Sequence, residues 1–332
     1  MAFSGADDAA GGTGGQRAHE PVLLAEVLAE LAPREGGHFL DGTVGAGGHA
    51  AALLERTAPS GRLLGLDVDP AALAIAGREL GRYADRAVLV RANFAVCDAI
   101  GREHGFTDLD GVLLDLGLSS IQLGDRARGF SFRSAGPLDM RADPELSLTA
   151  GAIVNTWDER ELRRIFAELG EEPEAARVAA AIVRRRSSSP FLTADDLGRF
   201  VYGVKAGRAR GGAVRQGKTD PATRVFQAIR MTVNDELTNL ARGLVAAVSL
   251  LRPGGRLAVI SFHSLEDRAV KQFIARESRD CVCPPHLPTC VCGHRAGLRV
   301  VSRRPLMAAA AETARNPRAR SARLRIAEKI AS

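Results

Sequence analysis

Leu40-Asp41-Gly42-Thr43-Val44-Gly45-Ala46-Gly47-Gly48-His49 decides the fold of this chain, and Leu63-Leu64-Gly65-Leu66-Asp67 comes after it. The two stretches predict a buried strand, a glycine-rich turn that opens a helix, and a second strand that ends in a carboxylate. The glycines remove side chains where a ligand would lie against the backbone. Asp67 is placed to accept hydrogen bonds from a ribose diol. The arrangement therefore predicts a nucleoside-cofactor site rather than a turn without a ligand.

Residues in and near the turn indicate which nucleoside cofactor binds there. Residues 45–50 also fit the weaker dinucleotide pattern, so an NAD-linked oxidoreductase stays open as an alternative. Asp41 ends the first strand, where its carboxylate would repel a pyrophosphate and attract the ammonium of a methionine moiety. Residues 252–256, Arg-Pro-Gly-Gly-Arg, precede an apolar strand as in the fifth strand of class I methyltransferases. These features favour S-adenosylmethionine.

The first third of the chain alternates between strand and helix patterns. Beyond the two opening strands, the patterns are a helix over 70–80 and strands over 87–90 and 111–116. This alternation predicts an α/β fold, in which helices cover both faces of a parallel sheet and the ligand lies at the carboxyl ends of the strands. Four side chains are expected to converge at that edge: Asp41, Asp67, Phe94 and Asp115.

The strand pattern stops between residues 124 and 220 and resumes at Arg256. Helices are predicted there, one starting at a capping box of Thr156 and Glu159 and another at Thr193 with Asp196. The chain is therefore divided into a flexible tail (1–18), a methyltransferase core (19–123 and 221–332) and a helical insertion that recognises the substrate (124–220).

Two further elements are predicted in the second part of the core. A single long helix is expected over 226–251, leading back into the sheet. Residues 298–301 and 324–327 are expected to pair as the antiparallel strands that close many methyltransferase sheets.

Composition indicates a soluble enzyme with a polyanionic partner. The 332 residues contain no apolar run long enough to span a membrane, and the start lacks the order of a signal peptide, so a cytoplasmic location is expected. The net charge is +6. Positive charges concentrate in the segment 205–218 and in a second cluster, Arg315, Arg318, Arg320, Arg323 and Arg325. Together these clusters favour a nucleic-acid partner over a merely solvated surface.

The segment 115–120, Asp-Leu-Gly-Leu-Ser-Ser, supplies a carboxylate and hydroxyls at the end of the fourth strand. Methyl transfer to an exocyclic amine needs alignment of donor and acceptor, together with groups that accept hydrogen bonds from the amine. The segment has no proline and no adjacent ring, unlike the corresponding motif of DNA amino-methyltransferases. A ring that stacks on the target base is expected from Phe130, Phe132 or Phe262.

Several motifs together resemble the bacterial 16S ribosomal RNA cytosine-N4 methyltransferases, the MraW family. The resemblance runs in unbroken order from about residue 19 to 330. Its motifs are His19-Glu20-Pro21-Val22-Leu23-Leu24, residues 41–49, residues 115–120 with Gln122, Arg128-Gly129-Phe130-Ser131-Phe132, Gly136-Pro137-Leu138-Asp139-Met140-Arg141, Ser261-Phe262-His263-Ser264-Leu265-Glu266-Asp267-Arg268 and Asn316-Pro317-Arg318-Ala319-Arg320-Ser321.

The resemblance implies an enzyme that uses S-adenosylmethionine to methylate N4 of a cytosine in the decoding region of 16S ribosomal RNA in the small subunit. It also implies a class I methyltransferase core with an inserted helical domain. The cofactor-binding positions that it implies are Gly47, Gly48, His49, Asp67, Phe94, Asp115 and Gln122. Asp115 is further expected to be the catalytic residue that orients the cytosine. An RNA-binding assembly factor without turnover remains an alternative, and the oligomeric state stays open.

Cysteine and histidine residues outside these positions allow more than one interpretation. Cys281-Val282-Cys283 and Cys290-Val291-Cys292 form paired C-x-C motifs, which could hold a structural zinc although C-x-x-C is the usual spacing; reduced thiols are the alternative. No metal is assigned to the predicted active site. His263 is expected to shape the entry to a helix capped by Ser264 and Asp267, with a role as proton acceptor as the alternative.

Overall fold

The computed structural model describes residues 21–83, 85–207, 220–284, 287 and 289–331, and within these residues seven strands form one sheet. The strands are β1 (His38–Asp41), β2 (Arg62–Asp67), β3 (Ala87–Arg91), β4 (Leu109–Asp115), β5 (Leu251–Ser261), β6 (Leu298–Val300) and β7 (Arg323–Lys329). Their order is β3-β2-β1-β4-β5-β7-β6, and β7 is antiparallel to both of its neighbours. This confirms the predicted α/β class I methyltransferase core, including its antiparallel pair.

Helices lie between the strands and in the stretch that separates β4 from β5. They are α1 (Leu24–Leu31), α2 (Gly48–Arg56), α3 (Pro70–Glu79), α4 (Cys97–Glu103), α5 (Ser120–Gly124), α6 (Ala150–Thr156), α7 (Glu159–Glu168), α8 (Ala175–Arg186), α9 (Ala194–Ala206), α10 (Thr223–Val233), α11 (Glu236–Leu250), α12 (Ser264–Glu277) and α13 (Ala310–Arg315). Short 3-10 turns occupy 81–83, 94–96, 126–128 and 317–321.

The central strands are apolar because both faces of the sheet are covered. Successive side chains of a strand point to opposite faces. Accordingly Phe39 belongs to the cluster formed with α1 and α2, whereas Leu40 belongs to the cluster formed with α4 and α11. The parallel register pairs Asp41 with Gly65 and with Leu113, so the carboxyl ends of β1, β2 and β4 meet at one edge. That edge is where the predicted ligand site should lie.

A separate hydrophobic cluster holds the inserted helices together. It includes Ile153 of α6, Phe166 of α7 and Ile182 of α8, all fully buried. Ile229 of α10 packs in the same cluster, although the predicted boundary at 220/221 assigned this helix to the core. The insertion is therefore helical, as predicted, and its packing extends beyond the predicted boundary.

Two local predictions are wrong. Thr156 does not cap a helix: it ends α6, where its hydroxyl donates to the Ala152 carbonyl, and Asp158 caps α7 in a capping box with Glu161. The single helix predicted over 226–251 is instead two helices, because the helical conformation is interrupted at Asn234 and Asp235.

The break between α10 and α11 is fixed by side-chain contacts. Asp235 has a positive φ of 46°, and the Asn234 amide donates to the carbonyls of Met140 and Arg230. Arg230 makes two hydrogen bonds to Glu236 across the break, at 2.8 and 2.9 Å. The two helices are therefore held at a defined joint rather than by a continuous backbone ladder.

Parts of two predictions lie outside the described residues, namely the tail 1–18 and most of the segment 205–218. Lys205 itself is on α9, where its Nζ donates to buried Glu172 at 2.7 Å and to the Pro221 carbonyl at 3.0 Å. This lysine is therefore part of a buried ion pair. Among the helices described here, none is long and apolar enough to cross a membrane.

We expect Asp267→Ala to lower the free energy of unfolding by about 3–5 kcal/mol, because it leaves a buried guanidinium without its partner. Asp267 accepts hydrogen bonds from Arg325 at 2.6 and 3.1 Å, and both residues are buried. Chemical denaturation measures the loss. Asp98→Ala, which removes an exposed pair with Arg102, is the control and should cost less than about 1 kcal/mol; equal losses in the two variants would contradict the assignment.

Candidate cofactor and active site

A cavity of about 400 Å³ opens at the carboxyl edge of the sheet. It lies against the glycine-rich turn after β1, the ends of β2 and β4, the turn at Phe94 and the start of α5. Its volume suits a small ligand such as a nucleoside cofactor. The structure brings six of the seven predicted cofactor positions to its wall: Gly48, His49, Asp67, Phe94, Asp115 and Gln122. Gly47 is not among the lining residues.

Gly47 lies at the start of α2 and packs against α3. It is the N-cap of α2 with a φ of 90°, and a Cβ on it would lie 3.3 Å from Leu80 and 3.4 Å from the backbone of Ala76. It therefore faces α3, where its backbone conformation and the close approach of that helix favour glycine.

The glycine-rich turn is tied to the end of β2. The Gly45 N–H donates to Oδ2 of Asp67 at 3.0 Å, and the Val44 N–H donates to the Leu66 carbonyl at 2.8 Å. A Cβ on Gly48 would lie only 2.5 Å from Cγ of Pro21. The start of the described chain thus closes over the turn, and only glycine leaves room for it.

Asp67 is a carboxylate surrounded by backbone N–H donors. Its Oδ1 accepts from the Asp69 N–H at 2.9 Å, in addition to the bond from Gly45. Burial raises the pKa of Asp67 above its ordinary value, and these N–H groups offset only part of that effect. The residue stands where the sequence predicted a ribose-binding carboxylate.

Asp69 fixes the loop after α5. It is 1% exposed, accepts from Nε2 of Gln122 at 3.3 Å, and forms an ion pair with Arg128. Arg128 also donates to the carbonyls of Arg141 and Ala142, each at 2.7 Å. One buried carboxylate therefore positions both a predicted cofactor residue and the polypeptide that leads into the helical insertion.

Gln122 is further oriented by its own helix terminus. Its Oε1 accepts from the Ser119 N–H at 3.1 Å, while the Ser119 hydroxyl accepts from the Gln122 N–H at 3.2 Å. This capping box leaves the amide with little rotational freedom.

The ring of Phe94 is held between the cavity and α11. A Cβ on Gly243 of α11 would lie 2.3 Å from Cδ2 of Phe94. The absence of a side chain at Gly243 therefore lets the helix approach the ring, which fixes Phe94 as part of the cavity wall.

Asp115 contributes a buried carboxyl oxygen to the cavity. Its Oδ1 is buried and has no hydrogen-bond partner among the residues described. Burial, with the charges of Asp41 and Glu266, raises the pKa of Asp115 well above its ordinary value, and Arg318 opposes this effect. The residue predicted to lie near the adenine or the reacting amine thus has a buried oxygen that can still accept a hydrogen bond.

His49 lies beside this carboxyl group. Its Nε2 is 2.9 Å from the Val22 carbonyl, to which it donates when that nitrogen carries the proton, and its Nδ1 is 3.9 Å from Oδ2 of Asp115. The buried ring thereby joins the segment that closes the cavity to the end of β4.

Asp41 does not line the cavity, although it lies at the predicted edge. It is 1% exposed and accepts from the backbone N–H and the hydroxyl of Thr43. Burial raises the pKa of Asp41 to about 7, with the Asp67 charge acting in the same direction and the Thr43 bonds against it. The Thr43 hydroxyl also accepts a hydrogen bond from the Asp115 N–H at 2.7 Å. Asp41 therefore helps to position Asp115 through Thr43.

Only one of the three predicted stacking rings reaches the cavity. Phe262 lines it, and Cδ2 of its ring lies 3.3 Å from a Cβ placed on Gly117. Phe130 and Phe132 pack instead in the cluster of inserted helices, where Phe132 makes an edge contact with Phe226.

His263 and Glu266 form the start of α12, which corrects the prediction for Ser264 and Asp267. His263 is the N-cap: its Nδ1 accepts from the Glu266 N–H, and its Nε2 is 3.1 Å from Oε1 of Glu266. Burial acts to raise the pKa of Glu266, but the bond and charge of His263 and the charge of Arg230 outweigh it, so this pKa is lowered. These contacts favour the positioning role for His263.

The arginines of the predicted basic cluster near residue 320 do not share one function. Arg323 and Arg325 are paired with Asp267, which is a structural contact rather than a phosphate site. Arg318 lines the cavity, and burial lowers the pKa of its guanidinium while the charge of Asp115 counteracts this. Sequence reasoning placed Arg318 on the RNA-binding surface and not in the site.

Other lining residues were missed altogether. Arg230 and Glu236 reach the cavity as an ion pair from the joint of α10 and α11, and Asn234 and Glu266 also line it. Glu266 lies within the motif 261–268 that the chain shares with the MraW family, so its place in the site could have been predicted from that motif. Arg230, Asn234 and Glu236 carried none, because the helix break that presents them was not predicted.

Nearly the whole chain, including every residue that lines the cavity, matches one family of known proteins. Residues 16–330 match the MraW methylase family. The chain belongs to this family. This membership removes the NAD-linked oxidoreductase alternative.

Relatives and solved structures of similar proteins cover nearly the whole chain. The chain is 53% identical over 313 residues to ribosomal RNA small subunit methyltransferase H of Thermomicrobium roseum, with 94% of each chain covered. It is 50% identical to the protein of the same name from Heliobacterium modesticaldum, with 94% and 98% covered. A solved rRNA methylase from Streptococcus thermophilus aligns with 10% identity and a TM-score of 0.42, covering 95% of this chain and 99% of that one.

We expect Asp41→Asn to remove a decline in stability with rising pH. The pKa of Asp41 is raised from 3.8 to about 7, so the folded chain keeps a proton that the unfolded chain loses between these values. The contribution of Asp41 to the free energy of unfolding is therefore fully present below pH 3.8 and is lost as the pH rises through about 7. The full shift corresponds to a contribution on the order of 4 kcal/mol. Urea unfolding of both proteins at about pH 5 and about pH 8 measures the difference; parallel changes in the two would contradict it.

Proposed function

We propose that this protein transfers a methyl group from S-adenosylmethionine to N4 of a cytosine in the decoding region of 16S ribosomal RNA, within the small ribosomal subunit. Family membership and relatives named for small-subunit RNA methylation support this proposal. The observation that carries it is the buried Oδ1 of Asp115, which has no hydrogen-bond partner among the described residues and lies in a cavity built by the glycine-rich turn.

The residues of the cavity fit S-adenosylmethionine. Gly45 leaves the backbone of the turn free of a side chain, the carboxyl group of Asp67 can accept hydrogen bonds from ribose hydroxyls, and the ring of Phe94 offers a face for adenine. The carboxyl groups of Asp67 and Asp115 favour a cationic ligand over a pyrophosphate. Occupation by a cation would also lower the raised pKa values of these groups, because an opposite charge favours the ionised form.

When bound, S-adenosylmethionine supplies an electrophilic methyl carbon on a sulfonium. The lone pair of the cytosine amine is delocalised into the ring, so groups that accept its hydrogens favour attack. Ionised Asp115 can accept one such hydrogen at Oδ1, and it is held in place by the bond from its own N–H to Thr43. The residue thus acts by alignment and by charge.

The RNA side of the cavity has an aromatic ring and a cation. A target base must leave its stack to reach the strand edge, and Phe262 presents a ring on which it can stack. Arg318 is half-buried at the same wall and can contact a phosphate or the base. We assign substrate recognition to the inserted helices, because they border the cavity through the joint at Asn234.

The proposal is tested by incubating the protein with methyl-labelled S-adenosylmethionine and free 16S RNA, the 30S particle or the 70S particle. Digestion should give labelled N4-methylcytidine from the decoding region, and Asp67→Ala should abolish it. Label in another nucleoside would contradict the proposed position. RNA binding without any label would favour an assembly factor that does not need turnover.

Asp115→Asn is expected to reduce kcat at least about 100-fold and to weaken the binding of S-adenosylmethionine by a smaller factor, because the neutral amide removes a negative charge and keeps only one acceptor oxygen. In the wild type, kcat should rise with pH as Asp115 loses its proton, with its pKa above the ordinary carboxyl range. Asp98→Asn, at an exposed carboxylate, is the control. Full turnover and unchanged cofactor affinity in Asp115→Asn would remove the catalytic assignment.

Gly243→Ala is expected to weaken cofactor binding roughly tenfold or more, because the added methyl would lie 2.3 Å from the ring of Phe94 and must displace it. Gly77→Ala is a matched control on α3, where the nearest atom to the new Cβ is 4.0 Å away. Calorimetric titration with S-adenosylmethionine measures both. Similar affinities in the two variants would show that the position of Phe94 does not matter for binding.

A further inference from the structure

Four cysteines gather in the segment between α12 and β6. The Sγ atoms of Cys281, Cys283, Cys290 and Cys292 all lie within 4.8 Å of one another. Two of the separations are 3.6 Å, from Cys290 to Cys292, and 3.9 Å, from Cys292 to Cys281. Four sulfurs bonded to one tetrahedral zinc at about 2.3 Å would lie about 3.8 Å apart. We propose that these cysteines bind a single zinc ion in a structural site with four thiolate ligands.

Backbone N–H groups already point at these sulfurs. Val282 donates to Cys292 and Val291 donates to Cys283, each at 3.4 Å, so each C-x-C pair is bonded to the other. A third bond of 3.4 Å runs from the Cys283 N–H to Cys281. Donors of this kind stabilise negative charge on sulfur and orient metal ligands. The site is therefore arranged for thiolates.

The segment has little else to hold it in this shape. Its apolar side chains Val282, Leu287 and Val291 are 36%, 40% and 77% exposed. None of the described residues of 281–292 belongs to the three hydrophobic clusters of the protein. A short segment whose described side chains join no hydrophobic cluster gains stability from a cross-link, and a metal ion supplies one because binding it stabilises the folded form.

The chemistry of the ligands favours zinc over other groups. Four thiolates around one centre suit zinc, which has no redox chemistry of its own. A cubane iron–sulfur cluster places each cysteine on a different iron and so holds the sulfurs farther apart. The four cysteines are free thiols in the structure, not disulfides.

The proposed metal site is remote from the cavity. The segment is fastened to the end of α12, where the Gly297 N–H donates to the Glu277 carbonyl and His294 contacts the Arg276 carbonyl. The start of α12 carries Glu266 at the cavity, and its 14 residues span about 21 Å. The zinc would therefore stabilise this end of the protein without joining the reaction, and the inference is independent of the proposed function.

The test is the metal content of the full-length protein, purified under reducing conditions without a chelator. Elemental analysis should find about one zinc per chain. The double variant Cys281→Ser, Cys292→Ser should hold less than a tenth of an equivalent, whereas Cys97→Ala, which changes the buried cysteine of α4, should keep its zinc. Exchange with Co²⁺ should give the intense visible bands of a tetrahedral thiolate site in the wild type and not in the double variant.

The wild-type measurement stands even where the double variant fails to fold. Zinc below a tenth of an equivalent, together with no rise in melting temperature when zinc is added, would overturn the proposal. Iron in place of zinc, or disulfides in protein kept under reducing conditions, would overturn it as well.

Discussion

Asp41, Asp67 and Asp115 end three adjacent parallel strands, and placing their carboxyl groups together in a poorly solvated edge is the constraint on which the site depends. Burial raises the pKa of all three, and backbone N–H groups from the neighbouring turns compensate only Asp41 and Asp67. The glycine-rich turn therefore has two roles. It leaves space for a ligand, and it supplies N–H donors that stabilise the negative charge of a buried carboxyl group. A cationic ligand would complete the compensation, so the charges of this edge favour such a ligand over an anion.

The same acidic edge connects the sheet to the inserted helices. Asp69 holds Arg128, and Arg128 holds the backbone of Arg141 and Ala142. The Ala142 N–H then donates to Asn234 at 2.7 Å, at the joint between α10 and α11. Arg141 itself is bonded to Asp139 and to the carbonyls of Pro144 and Leu146, so this loop is braced along its length. A continuous polar path thus links the cofactor wall to the insertion.

Features set by local pattern are predictable from the sequence, and features set by distant residues are not. Apolar runs ending in Asp41, Asp67 and Asp115 locate the strands and the edge, since parallel strands share a carboxyl end. The division of the basic cluster could not be predicted, because Arg325 meets Asp267 from 58 residues away. The break at Asn234 has the same origin, as its amide binds the carbonyl of Met140, 94 residues earlier. Helical periodicity contains no signal for such a contact.

The strand order makes the outermost strand depend on its neighbour. Strand β6 precedes β7 in the chain but is bonded to the sheet only through it, whereas β7 pairs with β5 along six residues. Strand β6 therefore depends on β7 for its place in the sheet, although α13 lies between the two strands in the chain. Amide hydrogens in β6 should then exchange before those of β4, at the centre of the sheet, because a three-residue outer strand is released by local opening that leaves the rest intact. Strand β7 likewise covers an edge of β5 that would otherwise be unpaired.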